Sequence, residues 1–259
     1  MTSESSEERG WEYVKAWRKS QRAELIGRRE SAAETERHTW NGRITQHLVS
    51  AFEMPGDTVV ACCWPYRGEF DARFAVRTWR ERGAIAALPE VVSNKSPLQF
   101  RKWWPGAPMK PGVYDIPVPN GTEIVTPDVA IVPMNAFDAQ GFRLGYGGGF
   151  FDSTLAACGR RMIAIGVSYE TLRLSTIYPQ PHDIPMDFVV TEAGICSAGG
   201  RALEPMDPEK SRERFNQLLS ERRLPRAAYR SDGYSSPVCY AADFPGYFGE
   251  DKGSDDAKT

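Results

Sequence analysis

The chain has 259 residues, of which 41% are hydrophobic, and it carries a formal net charge of −2 at pH 7. This size and composition suit one α/β domain with extensions, and the balanced charge excludes a basic face for duplex nucleic acid, which we do not expect as a partner. The first ten residues are polar and acidic, and no stretch of about 18 apolar residues occurs, so we expect a cytoplasmic protein without a membrane partner. Five cysteines without a Cys-x-x-Cys pair predict free thiols.

Two helices are predicted near the start of the chain. Residues 1–10 are expected to be disordered, and a charged helix follows to about Arg29. The pattern Ser31-Ala-Ala-Glu34 is typical of a capping box and predicts the start of a second helix. Apolar residues at helical spacing mark the buried face of that second helix, namely Trp40, Ile44, Leu48 and Ala51.

Strands and helices alternate through the middle of the chain. A strand over 58–63, a helix with apolar spacing over 72–79 that Gly83 ends, and a strand over 84–88 form one strand, helix, strand unit. Further apolar runs predict strands at 129–133, 162–167 and 188–191. This order predicts the α/β class, with three α/β/α layers around a mainly parallel sheet.

The chain is expected to divide near residue 200. We expect one domain over residues 11–200 and a C-terminal extension over 201–259. Within the extension, Asp207-Pro208 predicts one short helix that carries Phe215, Leu218 and Leu219 on one face. The remaining residues are rich in Gly, Ser, Tyr and Asp and predict a flexible tail.

The most informative motif runs from Arg143 to Asp152 and reads Arg-Leu-Gly-Tyr-Gly-Gly-Gly-Phe-Phe-Asp. Its glycines let the backbone take positive φ and bring N–H groups close to an anion, which side chains would block. The apolar residues that follow have helical spacing, so the loop is predicted to open a helix whose positive end faces the same anion. Asp152, one turn into that helix, is well placed to hold a hard cation that bridges phosphate oxygens. The motif therefore predicts a site for a magnesium nucleotide.

Two common glycine motifs are excluded by the residues after the glycines. A Walker A loop needs Gly-Lys followed by Ser or Thr, but Phe150 and Phe151 follow Gly149. A dinucleotide fingerprint needs a third glycine where Phe150 stands. A plain turn between a strand and a helix would explain Gly145 and one further glycine, but not three in succession.

Other segments extend the pattern beyond the loop. They are Gly112 to Pro119, Val129 to Pro133, Ala136-Phe-Asp with Gly141, and His182 to Glu192. Together with the signature from Arg143 to Leu155, they resemble the 5-formyltetrahydrofolate cyclo-ligases, also called methenyltetrahydrofolate synthetases. The resemblance covers roughly residues 11–195. It implies a NagB/RpiA/CoA-transferase-like fold with the catalytic domain over 11–200.

The resemblance also implies a reaction. Such an enzyme uses ATP and Mg²⁺ to cyclise 5-formyltetrahydrofolate to 5,10-methenyltetrahydrofolate. The N5-formyl oxygen is phosphorylated, N10 attacks the activated carbon, and ADP and phosphate are released.

Roles for individual residues follow from the same resemblance. Arg143 would steady the transferred phosphoryl group, and Asp152 with Asp183 would be the magnesium carboxylates. ATP would contact Arg18, Arg22, Arg143, Leu144, Gly145, Tyr146, Gly147, Gly148, Gly149 and Phe151. The reduced folate substrate would contact Trp64, Glu69, Tyr146, Gly147, Gly148, Gly149 and Phe150.

The N-terminal arginines have a structural alternative. Arg18 and Arg22 are four residues apart and share one helical face, as nucleotide contacts would require. Relatives usually carry lysine at the first position. The two arginines, with Lys19, Arg28 and Arg29, equally fit a solvated helical face.

Alternatives also remain for the residues outside the glycine loop. Trp64 fits an aromatic wall for a pterin but equally fits core filling, and Glu69 fits either a hydrogen-bond acceptor or the start of a helix. Asp183 fits either a metal ligand or a turn aspartate bonded to its own backbone. His182 is interpreted as loop structure rather than a base.

Three features depart from the family pattern. Tyr146 stands where many relatives carry arginine, Phe150 and Phe151 replace a Tyr-Tyr pair, and Val118 falls where glutamate is common. Because the glycines and both aspartates are retained, we favour an active enzyme that works as a monomer or homodimer. The alternative is a non-catalytic paralogue that binds folate or nucleotide.

Overall fold

A computed structural model describes residues 10–94, 96–159 and 161–222 of the chain. The helices are α1 Trp11–Ser31, α2 Glu34–Ala51, α3 Arg73–Glu81, α4 Phe150–Ala157 and α5 Pro208–Arg222. The first strands are β1 Val59–Cys62, β2 Ile85–Glu90, β3 Gln99–Trp103, β4 Met109–Pro111, β5 Pro117–Pro119 and β6 Val129–Pro133. They are followed by β7 Ala136–Phe137, β8 Arg143–Leu144, β9 Ile163–Val167, β10 Phe188–Thr191, β11 Gly194–Ser197 and β12 Glu204–Met206.

One eight-stranded sheet forms the centre of the fold, in the order β12-β11-β10-β9-β6-β1-β2-β3. The five strands from β10 to β2 are parallel. At the two edges, β3 pairs antiparallel with β2, β11 with β10, and β12 with β11. The predicted fold class, with a mainly parallel sheet, is confirmed. The register places Pro133 of β6 opposite Val167 of β9, so these two strands end level, whereas β1 ends at Cys62, opposite Ile131 of β6.

Successive side chains of a strand point to opposite faces of the sheet, so each buried strand contributes to a core on both faces. Val60 and Cys62 of β1 lie in one core, and Val59 and Ala61 lie in the other. The first core receives apolar residues from α1, α2, α3 and α5, and the second receives Leu155 from α4. These two cores are the physical basis of the three layers.

The capping box predicted at Ser31 is wrong. Ser31 ends α1, and its Oγ donates to the carbonyl oxygen of Arg28 at 3.0 Å, so it is not available to the next helix. Helix α2 begins at Glu34 without a side-chain cap. Arg37 of α2 instead donates to the carbonyls of Glu30 and Ala32 at 3.1 and 2.7 Å, and so supplies a donor to carbonyl groups at the end of α1.

The described part of the C-terminal extension shares the sheet and the core. Strand β12 pairs with β11, and the predicted short helix is α5, whose first turn is capped by Asp207 through the N–H of Lys210 at 2.8 Å. Phe215 is fully buried in the first core, and Arg222 makes two hydrogen bonds to Asp187 at 2.8 and 2.7 Å. Residues 1–9 of the segment 1–10 that is predicted to be disordered, and the tail predicted after the short helix, lie outside the described residues.

The described cysteines, Cys62, Cys63, Cys158 and Cys196, form no disulfide with one another. Within the described ranges, none of the helices combines the length and the apolar character that crossing a bilayer requires.

Candidate active site

Loops at the carboxyl ends of the central strands surround a cavity of about 410 Å³. Its walls come from α1, the loop after β1, the β4–β5 hairpin, the glycine loop with the first turn of α4, and the loop before β10. All the residues that the sequence assigned to ATP, folate or magnesium line this one cavity. They are Arg18, Arg22, Trp64, Glu69, Arg143, Leu144, Gly145, Tyr146, Gly147, Gly148, Gly149, Phe150, Phe151, Asp152 and Asp183.

The glycine loop leaves its main-chain donors available. Gly147 and Gly149 have φ of +99° and +66°, whereas Gly145 has no positive φ, and an added Cβ there would meet no atom within 4 Å. Within the described ranges, the N–H groups of Gly147, Gly148 and Gly149 donate to no protein acceptor. Helix α4 begins directly after Gly149, so its positive end faces the same cavity. These donors can bind an anion.

Arg143 and Asp152 join the glycine loop to the loop before β10. The Arg143 side chain is almost fully buried, and its Nη2 lies 2.8 Å from Oδ1 of Asp152. Its Nη1 donates to the carbonyl of Ile184 at 2.9 Å, and the N–H of Ile184 donates to Asp152 at 3.1 Å. This closed set of contacts fixes the positive charge beside the glycine amides.

Arg18 and Arg22 are each 3% exposed, so the solvated-face interpretation is wrong for both. Arg18 donates to the carbonyls of Ile177 and Tyr178 at 3.1 and 2.9 Å and forms a bidentate ion pair with Asp183. Arg22 donates from Nε to the carbonyl of Gly145 at 2.8 Å. Helix α1 therefore presents these side chains to the cavity and holds the glycine loop.

Asp183 has the backbone contact expected of a turn aspartate, and it also lines the cavity. Its Oδ2 accepts the N–H of Gln180 at 2.7 Å, as a turn aspartate does, and the same carboxylate lines the cavity. The neighbouring His182 also lines the cavity, and its ring packs edge-on against Trp11 at 6.1 Å.

Glu69 lies in a buried network that the sequence did not predict. It is 8% exposed; Oε1 accepts the hydroxyl of Tyr146 at 3.0 Å, and Oε2 accepts the N–H of Tyr66 at 3.1 Å. Burial raises the pKa of Glu69, while Arg29, Tyr146 and the N–H of Tyr66 act in the opposite direction. Glu69 does not begin a helix, because α3 starts at Arg73.

Arg29 is the functional candidate that sequence reasoning missed. The sequence alone equally fits Arg29 to a solvated helical face. In the structure its side chain is 2% exposed and donates to the hydroxyl of Tyr146 at 2.7 Å. Its spacing from Arg18 and Arg22 was a usable signal. At 3.6 residues per turn, steps of 11 and 7 residues place Arg18 and Arg22 about 20° to either side of Arg29, so all three lie on one helical face.

Aromatic rings form another wall of the cavity. The guanidinium of Arg73 lies 4.1 Å from the ring centroid of Trp64, and the ring of Trp103 packs at a right angle to that of Trp64. Trp64 therefore packs inside the protein and also lines the cavity. Tyr66 and Tyr114 stack with centroids 5.5 Å apart and planes at 20°. Neither tyrosine was predicted from the sequence.

The residues present fit a magnesium ion that a nucleotide shares. In the described part of the chain, no group of three or more His, Cys, Asp and Glu side chains is placed to hold a metal. Magnesium is usually bound by one or two carboxylates together with substrate phosphates, which Asp152 and Asp183 match. Four arginine or lysine side chains and four carboxylates line the cavity, namely Arg18, Arg22, Lys110, Arg143, Glu69, Glu90, Asp152 and Asp183. Because these charges balance, a cation that binds with the triphosphate would offset the negative charge of the triphosphate.

The fold and the cavity define a three-layer α/β protein in which a glycine loop, the carboxylates of Asp152 and Asp183, and an aromatic wall border one cavity. The chain belongs to the 5-formyltetrahydrofolate cyclo-ligase family, whose model matches residues 14–192. Members of this family are ligases, as the sequence predicted.

Individual relatives agree with this assignment. The chain is 32% identical over 178 residues to a 5-formyltetrahydrofolate cyclo-ligase of Mycolicibacterium smegmatis, covering 66% of this chain and 91% of the relative. It is 26% identical over 172 residues to the corresponding protein of Haemophilus influenzae, covering 64% and 92%. The NMR structure of Aquifex aeolicus 5,10-methenyltetrahydrofolate synthetase matches with a TM-score of 0.61 and 28% identity, covering 72% of this chain and 96% of that one.

Proposed function

We propose that the protein cyclises 5-formyltetrahydrofolate to 5,10-methenyltetrahydrofolate at the expense of ATP. Family membership supports the reaction class. The observation that carries the proposal for this chain is the convergence on one cavity of the glycine amides, Arg143 with Asp152, and Trp64 with Glu69. Both substrates must meet for phosphoryl transfer, and one cavity bordered by an anion site and an aromatic wall suits that need.

The proposed chemistry needs no nucleophile from the protein. The formyl oxygen attacks the γ-phosphorus of ATP and ADP leaves. N10 then attacks the activated carbon, and loss of phosphate together with the N10 proton completes the 5,10-methenyl bridge. Catalysis of this kind depends mainly on positioning and on neutralising charge on the transferred phosphoryl group.

The chain's own residues would supply that positioning. The amides of Gly147, Gly148 and Gly149 would bind phosphate oxygens, and Arg143 would steady the transferred phosphoryl group. Arg18 and Arg22 would contact the nucleotide from α1. Asp152 and Asp183 would hold Mg²⁺, which when bound reduces the negative charge of the triphosphate.

The folate side would use Trp64 and Glu69 for stacking and hydrogen bonding to the pterin, with Tyr146 and Phe150 beside them. Tyr146 lacks the charge of the arginine that many relatives carry, but its hydroxyl is oriented by Glu69. A cytoplasmic location and a monomeric or homodimeric state remain predictions from the sequence.

A near-ultraviolet assay tests the proposal, because the methenyl product absorbs where the substrate does not. We expect the product band to grow only when ATP, magnesium and 5-formyltetrahydrofolate are all present. Replacing Asp152 with alanine or asparagine should slow the appearance of the product band by about 10²-fold or more. The matched control is Asp207→Ala, an exposed aspartate at the start of α5, which should keep wild-type activity.

Absence of product from wild-type protein that binds both ligands would contradict the proposed reaction. That outcome would favour the non-catalytic binding protein instead.

A further inference from the structure

Arg29 connects three segments, two of which border the cavity. From α1, its Nε donates to the carbonyl of Arg67 at 2.9 Å, its Nη1 to Oδ1 of Asn135 at 2.9 Å, and its Nη2 to the hydroxyl of Tyr146 at 2.7 Å. These acceptors belong to the turn after β1, the residue pair between β6 and β7, and the glycine loop. A buried guanidinium with acceptors on all three nitrogens is rigidly held.

This contact fixes the direction of the next hydrogen bond. Arginine only donates, so the hydroxyl oxygen of Tyr146 accepts from Arg29. The single phenolic proton is then left for Oε1 of Glu69, 3.0 Å away. The second carboxylate oxygen already accepts the N–H of Tyr66, so Glu69 acts as an acceptor on both oxygens. Arg29 also lies 3.9 Å from Oε1 of Glu69 and favours the carboxylate form.

We propose that Arg29 is a positioning residue for the folate subsite, which acts through Tyr146 to hold Glu69 as a carboxylate acceptor for the N–H donors of a pterin-like ring. This inference rests on the proposed function and adds a residue to it. The remaining lone pairs of Glu69 are the group that would meet the ring. Arg29 itself does not line the cavity, which is why its role is indirect.

The same geometry separates the two ends of α1 by function. Arg18 and Arg22 contact the cavity beside Asp183 and Gly145, on the nucleotide side of the proposal. Arg29, two turns further along, instead contacts Arg67 and Asn135, and it reaches the glycine loop through the hydroxyl of Tyr146, which bonds to Glu69. Loss of the hydrogen bonds of Arg29 should therefore weaken folate binding more than nucleotide binding.

The test compares Arg29→Lys and Tyr146→Phe with the control Arg28→Lys. Lysine keeps the charge but presents one nitrogen, which cannot serve three separated acceptors. Arg28 is the adjacent residue of the same helix, and its side chain is about half exposed and paired with Glu24 at 2.8 Å. Tyr146→Phe removes only the connecting hydroxyl and gives a second variant if Arg29→Lys does not fold.

We expect Arg29→Lys and Tyr146→Phe each to raise the KM for 5-formyltetrahydrofolate by about 10-fold, a larger change than either variant causes in the KM for ATP. The double variant should be no worse than the weaker-binding single variant, because both changes break one connected network. Arg28→Lys should match wild type in both KM values.

Equal changes in the two KM values, or independent effects that add in the double variant, would overturn the role of Arg29. Calorimetric titration with 5-formyltetrahydrofolate in the absence of ATP measures the folate affinity of wild type and each variant without turnover. Wild-type protein that binds the folate but forms no methenyl product contradicts the proposed function. Equal folate affinity of wild type, Arg29→Lys and Tyr146→Phe contradicts the positioning role.

Discussion

Replacing Gly149 with alanine should destabilise the protein, whereas the same change at Gly145 should not. Gly149 has φ +66° and ψ 7°, a left-handed conformation that costs a residue with a Cβ about 1–2 kcal/mol. Gly147, at φ +99°, lies further from the region that other residues tolerate. Gly145 lacks a positive φ, and an added Cβ would contact nothing within 4 Å.

The expected size can be converted to a melting temperature. A loss of 1 kcal/mol shifts Tm by roughly 2–4 °C in a chain of this size, so Gly149→Ala should lower Tm by about 2–8 °C. Gly147→Ala should lower it at least as much, and Gly145→Ala by less than about 1 °C. Differential scanning calorimetry of the ligand-free proteins measures this directly. Equal Tm values for Gly145→Ala and Gly149→Ala would refute the assignment of strain to the glycine loop.

Three further predictions concern other parts of the molecule. Burial acts to raise the pKa of Glu90, but hydrogen bonds from Lys110 and Arg101 outweigh burial and hold this pKa below 4.5. The Glu90 carboxylate therefore stabilises the fold above that pH, and its contribution is lost as the pH falls. Urea titrations of Glu90→Gln should therefore show a deficit at neutral pH that shrinks near about pH 3, and a constant deficit would contradict it. Phe215→Ala should cost about 3–5 kcal/mol of unfolding free energy in urea, because Phe215 is fully buried, and a loss below about 1 kcal/mol would show that α5 is not part of the core. Trp64→Ala should raise the KM for the folate by about 10-fold without changing the KM for ATP, and the reverse pattern would place Trp64 on the nucleotide side.

Elements with a strong local pattern were predictable from the sequence. Strands β6 and β10 and the start of α4 lie where the apolar runs and the glycines placed them. Strands β4 and β5 were not predicted. Each has three residues and contains proline, so neither offers an alternating pattern.

The residues that line the cavity were predictable, but their buried partners were not. The glycine loop and Asp152 are contiguous, so a single motif contains them. Arg29 meets Asn135 and Tyr146 only because the sheet brings together positions more than 100 residues apart. A charged helix shows the same pattern whether its arginines are solvated or buried against such partners.

The central claim is that the amides of Gly147, Gly148 and Gly149 bind the terminal phosphate of ATP. A crystal structure with Mg²⁺ and a non-hydrolysable ATP analogue tests it most directly. We expect phosphate oxygens at about 3 Å from these nitrogens, with the metal between the phosphates and Asp152. A nucleotide bound elsewhere, or a loop whose N–H groups donate to the protein itself, would contradict the account.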